Sequence, residues 1–164
     1  MRITAPSAPP EALAFTAPEG GEVPITMAAL AHCDTLFAPF LGWASALALA
    51  GALPRRDHEL LALRAAHNSA SAFEWDEHTV FARRAGLSED EISRVREGAD
   101  AAGWAAFDAT LLRAADELHR TFSVTASTWA DLSARYDTAQ LVEAVFVVGQ
   151  YTMLSMVANV VEGD

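Results

Sequence analysis

Apolar residues along most of this chain recur at intervals of three or four positions, the spacing that places them on one face of an α-helix. The segment 104–122 shows this most clearly, with apolar residues at Phe107, Leu111, Leu112, Ala115, Leu118 and Phe122. No segment shows a convincing alternation of apolar and polar residues, which a half-buried β-strand requires. The pattern therefore predicts an all-α fold of about seven or eight helices.

Capping residues and a glycine mark several helix ends. Ser88 with Glu91, and Asp137 with Gln140, have the spacing of reciprocal N-terminal caps. Gly86 is well placed to end the helix that precedes it. The predicted helices cover 25–32, 34 to about 51, 55–67, 72–85, 88 to about 98, 104–122, a short stretch around 129–132 and 141 to about 161.

Residues 1–24 differ in composition from the rest of the chain. They hold five of the seven prolines and few large apolar residues, so we expect an irregular N-terminal arm. Residues 25–164 have about the length of one domain and are predicted to form a single all-α domain. Two apolar runs, 36–53 and 144–161, approach membrane-spanning length, but their Pro, Gly, Ser and Asn content favours helices buried in a core or in an oligomer interface.

The overall composition narrows the possible partners. A net charge of −11 without a basic stripe argues against nucleic acids and anionic membranes as partners. The hydrophobic content of 52% is slightly above that of a typical soluble domain, which favours a homo-oligomer. The N-terminus lacks the apolar core of a signal peptide, so we expect a cytoplasmic protein.

The chain contains no lysine and only one cysteine, which excludes several common catalytic mechanisms. All 11 cationic residues are Arg, and a chain without Lys cannot form a lysine Schiff base with pyridoxal phosphate. Cys33 is the only cysteine, which excludes an intrachain disulfide, a CxxC redox pair and a cysteine zinc cluster. We expect no cofactor.

The stretch 59–78 carries the candidate chemistry. Ser71, Glu74 and His78 are spaced i, i+3, i+7 and therefore share one helix face. An antiparallel return through a short polar break would bring Glu59, on the preceding helix, alongside His78. Carboxylates beside an imidazole can orient it and exchange protons near neutral pH. We therefore predict His78, Glu59 and Glu74 as the catalytic residues.

Each catalytic candidate also has a structural interpretation. His78 can be an ordinary hydrogen-bonded histidine at a helix contact, and Glu74 can be solvated or paired with an arginine. Glu59 has three arginines near it as possible ion-pair partners, Arg55, Arg56 and Arg64. The other histidines that we treat as surface or structural residues are His32, His58 and His119.

Four further residues are assigned to substrate binding. Ser71 is assigned there because no nucleophile-elbow motif surrounds it, as a catalytic serine of that type requires. The others are Trp75, Tyr151 and Gln150, for which a core position is the alternative. A metal held by the carboxylates and His78, with His67 from the other helix, is the weaker alternative because a second paired histidine is missing. We predict no metal.

Five segments together resemble the carboxymuconolactone decarboxylase and AhpD-like superfamily. They occur in the family's order and are LPRRDHELL (53–61), FEWDEH (73–78), AGLSEDEI (85–92), LRAADELH (112–119) and VGQY (148–151). The second is similar to the YEWxxH signature of one branch. The resemblance covers roughly residues 39–163 and leaves the N-terminal arm outside it.

The resemblance implies an all-α homo-oligomer, a dimer, trimer or hexamer, with its site on a central helical hairpin. The peroxidase branch of the family is described by a Glu, a CxxC pair and a His, which fall here on Glu59, on Ser71 and Glu74, and on His78. Both redox sulfurs are therefore replaced, and thiol peroxidase activity is not expected.

The function that the resemblance implies is cofactor-independent acid–base chemistry on a small organic acid or lactone. Decarboxylation, isomerisation and hydrolysis of a lactone would all use the same groups, and the residues do not separate them. The alternatives are a non-catalytic protein that binds a small molecule or serves assembly, and a peroxidase that uses an unexpected thiol.

Overall fold

A computed structural model describes residues 23–162 together with positions 3, 6, 13 and 16. This part of the chain is all-α and contains no strand, which confirms the predicted fold class. Its helices are α1 (Ile25–Leu30), α2 (Asp34–Leu49), α3 (Arg55–Asn68), α4 (Ala72–Arg84), α5 (Glu89–Val95), α6 (Ala106–Thr121), α7 (Ala126–Ser133) and α8 (Thr138–Glu162).

The chain divides into two compact units, Met1–Gly51 with Met156–Asp164, and Ala52–Ser155. Most of the predicted arm 1–24 lies outside the described residues. In the first unit, Leu13 and Phe37 are buried in one cluster with Ala31. The prediction of a single domain over 25–164 stays a prediction.

Helix α3 is the centre of the second unit and packs against α4, α5 and α6. Its apolar residues leave almost no surface to solvent: Leu60, Ala62, Leu63, Ala65 and Ala66 are all 0% exposed. A helix that is apolar nearly all round is stable only when other helices cover it. Three polar residues of α3 are buried with this face: Asp57 is 3%, His58 is 2% and Glu59 is 1% exposed.

The local signals at the helix ends act as predicted. The Ser88 hydroxyl accepts from the Glu91 backbone N–H at 3.2 Å while the Glu91 carboxylate accepts from the Ser88 N–H at 2.9 Å, a complete capping box. Asp137 and Gln140 form the corresponding reciprocal pair at the start of α8. Gly86 has φ +91°, a left-handed conformation that glycine adopts without strain.

Both long apolar helices are only partly covered within the single chain, so their burial in a core or an oligomer interface stays a prediction. In α2, Leu36 is 57% and Trp43 is 42% exposed, and in α8 Phe146 is 48% and Met153 is 45% exposed. Helix α8 is long and apolar enough to cross a membrane by length and composition alone, but half of its most apolar window is buried, as in core helices of soluble proteins. Apolar composition predicted the helices but not which of their faces other helices cover.

Candidate functional site

The site is built on the hairpin of α3 and α4, which confirms the predicted short break between them. Ala70 has φ +50°, and the Ser71 N–H donates to the Ala66 carbonyl at 3.0 Å, which reverses the chain within three residues. The Ser71 hydroxyl then accepts from the Glu74 backbone N–H at 3.3 Å and caps α4. This turn sets α4 against α3 so that their polar residues face each other.

Glu59 and His78 meet across this hairpin. The Glu59 Oε2 atom lies 2.7 Å from the His78 Nδ1 atom, and the two residues are 1% and 5% exposed. The second Glu59 oxygen accepts from Arg55 at 3.0 Å. A carboxylate opposite Nδ1 places the ring proton there and leaves Nε2 to exchange protons with another group. The predicted pairing and the predicted arginine partner are therefore both present on the one carboxylate.

Glu74 lies on the other side of the same imidazole. Its Oε2 atom is 3.8 Å from the His78 Nε2 atom, and the residue is 4% exposed. Burial raises the pKa of the Glu74 carboxyl to about 7, with the nearby Glu77 adding to the rise and His78 opposing it. Glu74 is therefore partly protonated near neutral pH and can donate or accept a proton there.

Tyr151 reaches the site from α8, and His58 holds its hydroxyl. The ring of Tyr151 stands edge-on to His78, with centroids 4.1 Å apart, and its hydroxyl lies 3.0 Å from the His58 Nε2 atom. Burial lowers the pKa of His58 to about 4, so this histidine is neutral at physiological pH. Burial, Glu59 and Glu74 raise the pKa of Tyr151 above its ordinary value. His58 and Tyr151 are therefore both uncharged at physiological pH, and the ring of Tyr151 packs against the His78 imidazole.

Sequence reasoning missed His58 as part of the site, having treated it as a surface or structural residue. It is 2% exposed and lies in the first turn of α3 between Asp57 and Glu59, which are also buried. The one signal that could have found it is the run of five ionisable residues, 55–59, directly before the apolar stretch of the helix. Burial of His58 itself depends on α8, which is distant in sequence.

The other predicted substrate-binding residues lie elsewhere. Ser71 and Trp75 line an open cleft of about 200 Å³ at the start of α4, together with Ala66, His67, Ala70, Ala72, Asp76 and Arg96. Gln150 is buried on α8 beside Tyr151. His67 faces Trp75 at the cleft, with ring centroids 6.2 Å apart, rather than joining the carboxylates of the site.

A metal site needs several ligand side chains that converge on one point. Within the described part of the chain, no group of three or more His, Cys, Asp or Glu side chains is arranged to hold a metal ion. In the site itself, each side chain has a partner of another kind: Glu59 pairs with His78 and Arg55, and Tyr151 bonds to His58. This arrangement is suited to moving protons between organic groups.

The sequence model of the carboxymuconolactone decarboxylase family matches residues 35–117, which is 83 of the 164 residues. The chain belongs to the carboxymuconolactone decarboxylase family. The matched segment contains Glu59, Ser71, Glu74 and His78, and leaves Tyr151 outside. The resemblance inferred from the five motifs is thus confirmed.

A solved structure supports the fold of this family member. It is a protein of unknown function from Agrobacterium tumefaciens, for which a role as the antioxidant defence protein AhpD has been suggested. The two chains superpose with a TM-score of 0.72 at 19% identity, covering 82% of this chain and 93% of the other. No curated protein matches the chain. At this identity the likeness shows the AhpD-like fold alone.

Ser71 and Glu74, the positions on which the resemblance places the two cysteines of the peroxidase branch, both have defined contacts. Ser71 caps α4 with its hydroxyl, and Glu74 presents a buried carboxyl to His78. The only cysteine, Cys33, is exposed at the start of α2. The described site therefore contains carboxyl and imidazole groups and no thiol.

Proposed function

We propose that this carboxymuconolactone decarboxylase-family protein is a cofactor-independent lyase that acts on a small organic acid or lactone by acid–base chemistry. One observation supports this most: a single buried imidazole has a carboxylate 2.7 Å from one ring nitrogen and a carboxyl 3.8 Å from the other. Glu59 orients His78, and the Glu74–His78 pair exchanges protons with the substrate.

In the proposed reaction, the bond between the substrate's carboxylate carbon and its neighbour breaks and carbon dioxide leaves. The bonding electron pair stays on the neighbouring carbon as an enolate or dienolate, conjugated with the substrate's carbonyl group. That carbon then takes a proton from the Glu74–His78 pair, which regains one from water. The substrate thus loses carbon dioxide and gains one proton, and no oxidant or reductant is needed. Isomerisation or lactone hydrolysis at the same groups is the alternative within this proposal.

The buried surroundings support a role in catalysis over a purely structural one. Structural ion pairs hold their carboxyl groups ionised, whereas the pKa of the Glu74 carboxyl is about 7. Catalytic acids and bases commonly have pKa values shifted toward neutrality by burial. Thiol peroxidase activity is not proposed, because Ser71 and Glu74 stand where that chemistry needs two thiols.

The proposal is tested by incubating a small-metabolite extract with wild-type protein, with His78→Gln and with His119→Gln as a control. His119 is an exposed histidine on α6, so His119→Gln makes the same chemical change as His78→Gln at a position where it should not disturb the fold. Mass spectrometry should show one species consumed by the wild type and the control and a product lighter by carbon dioxide. The rate with His78→Gln should fall about 100-fold or more.

Other results have definite meanings. A product that differs by one water indicates lactone hydrolysis, and a product of unchanged mass indicates isomerisation. Consumption by all three proteins at the same rate would show that His78 is not catalytic. No consumption by any of them, with each protein folded, would favour the non-catalytic binding protein.

We also propose that the protein is a homo-oligomer. Exposed residues of α8 in the second unit, Val142, Phe146, Gly149 and Met153, are separated by four, three and four positions, the spacing of a seam between two helices. A Cβ built on Gly149 would meet nothing within 4 Å, so there is space beside the helix at this position. A cytoplasmic location, and the absence of nucleic-acid and membrane partners, remain predictions.

Light scattering of Met153→Glu tests this seam, because a charge introduced there should lower the measured mass. The control is Ser127→Glu, which adds the same charge at an exposed position of α7. A monomeric wild type, or a mass unchanged by Met153→Glu, would contradict the proposed seam.

A further inference from the structure

The cleft at the start of α4 has a charge arrangement that the proposed reaction does not use. Its walls are mostly apolar and come from Ala66, Ala70, Ala72 and Trp75. Three polar side chains, His67, Asp76 and Arg96, also line it. Its volume of about 200 Å³ is below the roughly 300–1,000 Å³ of pockets for drug-sized ligands, so it suits a smaller molecule.

Arg96 is the cation of the cleft, and its position is fixed. Its guanidinium carbon lies 4.2 Å from the centroid of the Trp75 ring, which is 8% exposed and therefore held by its surroundings. Arg64 donates to the Arg96 carbonyl at 3.2 Å and fixes the backbone below the side chain. Among the described residues, no carboxylate lies within ion-pair distance of the Arg96 guanidinium. Arg84, Arg94 and Arg120 likewise have no ion pair with a described carboxylate, but only Arg96 lines the cleft.

His67 and the N-terminus of α4 add hydrogen-bond donors and positive potential to the cleft, but neither adds a full positive charge. Burial, Arg64 and Arg96 lower the pKa of His67, so its imidazole is neutral at pH 7 and can still donate one N–H. The cleft also contains the first residues of α4, a helix of 13 residues whose N-terminus is the positive end of its dipole. Asp76 on the same cleft opposes a ligand with two negative charges.

We propose that this cleft binds the carboxylate of a small, flat organic acid, with the Arg96 guanidinium as its partner and Trp75 as the apolar wall. A guanidinium forms two parallel hydrogen bonds with a carboxylate, and the planar fork stacked on Trp75 is oriented for that geometry. A carboxylate carries one negative charge, which Arg96 can balance, whereas Asp76 disfavours a ligand with a second negative charge. The inference stands whether or not His78 is catalytic.

The cleft is separate from the reactive histidine. Glu59, Glu74 and His78 are not among the residues that line the cleft, although the cleft residue Trp75 precedes His78 by only three positions on α4. Ser71 is the residue of the cleft that connects the two places, because its hydroxyl accepts from the Glu74 N–H. Since none of the three proposed catalytic residues lines the cleft, its ligand is predicted to bind without contact to His78.

Benzoate is the probe, titrated into the full chain while the indole N–H signal of Trp75 is followed by NMR. We expect saturable binding with a Kd of about 1 mM, as for a ligand of this size. Benzamide, which has the same shape without the charge, and Arg96→Gln with benzoate should each bind about tenfold or more weakly. Asp76→Asn should tighten the binding of benzoate, because it removes a like charge.

Two control variants locate the binding. Arg94→Gln removes the second arginine that stacks on a tryptophan, 5.2 Å from the Trp104 centroid and outside the cleft, and should leave benzoate binding within about twofold of the wild type. His78→Gln should also leave it unchanged, which separates this cleft from the proposed catalytic site.

Several results would overturn the assignment. These are no benzoate binding at millimolar concentrations, equal binding by benzamide, binding unchanged in Arg96→Gln, or binding lost in His78→Gln. Tighter binding of phenyl phosphate than of benzoate would exclude the carboxylate as the preferred group.

Discussion

Helix α3 carries two groups of ionisable residues with opposite character. In the first, which we call the arginine cluster, Arg64 donates to Asp116 at 2.6 and 3.1 Å, and Arg56 pairs with Glu91 and Asp108 at 2.6 and 2.7 Å. In the second, which we call the histidine cluster, the partners are Glu59, Glu74, His78, His58 and Tyr151. Both clusters are attached to the same helix, so its burial alone does not explain their difference.

The difference lies in the partners of the carboxyl groups. In the arginine cluster, the hydrogen bonds from Arg56 lower the pKa of Glu91 to about 2, so its charge is secure at every physiological pH. In the histidine cluster, no arginine of the described part of the chain forms an ion pair with Glu74, and burial raises the pKa of its carboxyl to about 7. One cluster holds charges in place, whereas the other can gain and lose protons near neutrality. We therefore infer a structural role for the first and a chemical role for the second.

The largest expected effect comes from breaking the arginine cluster. Arg64→Ala should lower the free energy of unfolding by about 3 kcal/mol or more, because Asp116 is left half-buried without its cation. Urea unfolding measures the change. The control is Arg113→Ala. Arg113 lies 3.6 Å from Asp100, which is almost fully exposed, so this variant should lower the free energy of unfolding by less than about 1 kcal/mol. Equal losses in the two variants would contradict the structural role.

Glu74→Gln should raise the free energy of unfolding, in contrast to Arg64→Ala. The pKa of Glu74 is raised from 4.5 to about 7 by folding, so ionising it in the folded state opposes folding. Its contribution to stability is full below pH 4.5 and is lost as the pH rises through 7. The variant should therefore gain up to about 3 kcal/mol at pH 8, and little at pH 4. In the proposed reaction it should also lose activity.

Thermal unfolding at pH 4, 6 and 8 is the measurement for Glu74→Gln. Its exposed neighbour on α4 gives the control Asp76→Asn, for which we expect no such gain at pH 8. A Glu74→Gln protein that is less stable than the wild type at pH 8 would show that the carboxylate is compensated in the folded state.

His58→Gln should make the protein less sensitive to acid. The pKa of His58 falls from 6.5 to about 4 on folding, so its contribution is full above pH 6.5 and is lost as the pH falls through 4. Between pH 7 and pH 5 this amounts to about 2 kcal/mol. Glu74 acts in the opposite direction over the same range, so the comparison is best made in the Glu74→Gln background. An unchanged pH profile there would show that His58 protonates freely in the folded protein.

Ser71→Ala should give the smallest effect and separates a cap from a nucleophile. Loss of the hydroxyl that accepts from the Glu74 N–H should cost about 1 kcal/mol by thermal unfolding. In the proposed reaction, turnover should fall by no more than a few-fold. Ser71→Asp, which preserves a cap, should restore stability in part. A loss of turnover as large as that of His78→Gln would contradict the capping role and make Ser71 a catalytic residue.

The amino-acid sequence by itself determined the helices and their ends. The capping box at Ser88, the reciprocal pair at Asp137 and the left-handed Gly86 involve residues within four positions of each other. Such local hydrogen bonds and backbone preferences act before any tertiary contact is made, and so they can be read from a single chain. The contact of Glu59 with His78 was also predicted, from an antiparallel return of the chain through a short polar break.

Tertiary structure alone decided which surfaces are covered and what the buried side chains contact. His58 became part of the site because α8 places Tyr151 against it, 93 positions away in sequence. Which faces of α2 and α8 are exposed could not be read from the sequence, because apolar residues surround each helix and periodicity gives no direction when every face is apolar. Likewise, burial raises the pKa of Glu74 and His78 opposes the rise, and both effects exist only in the folded chain. Local patterns fix backbone conformation, whereas charge and reactivity depend on neighbours that only the folded chain brings together.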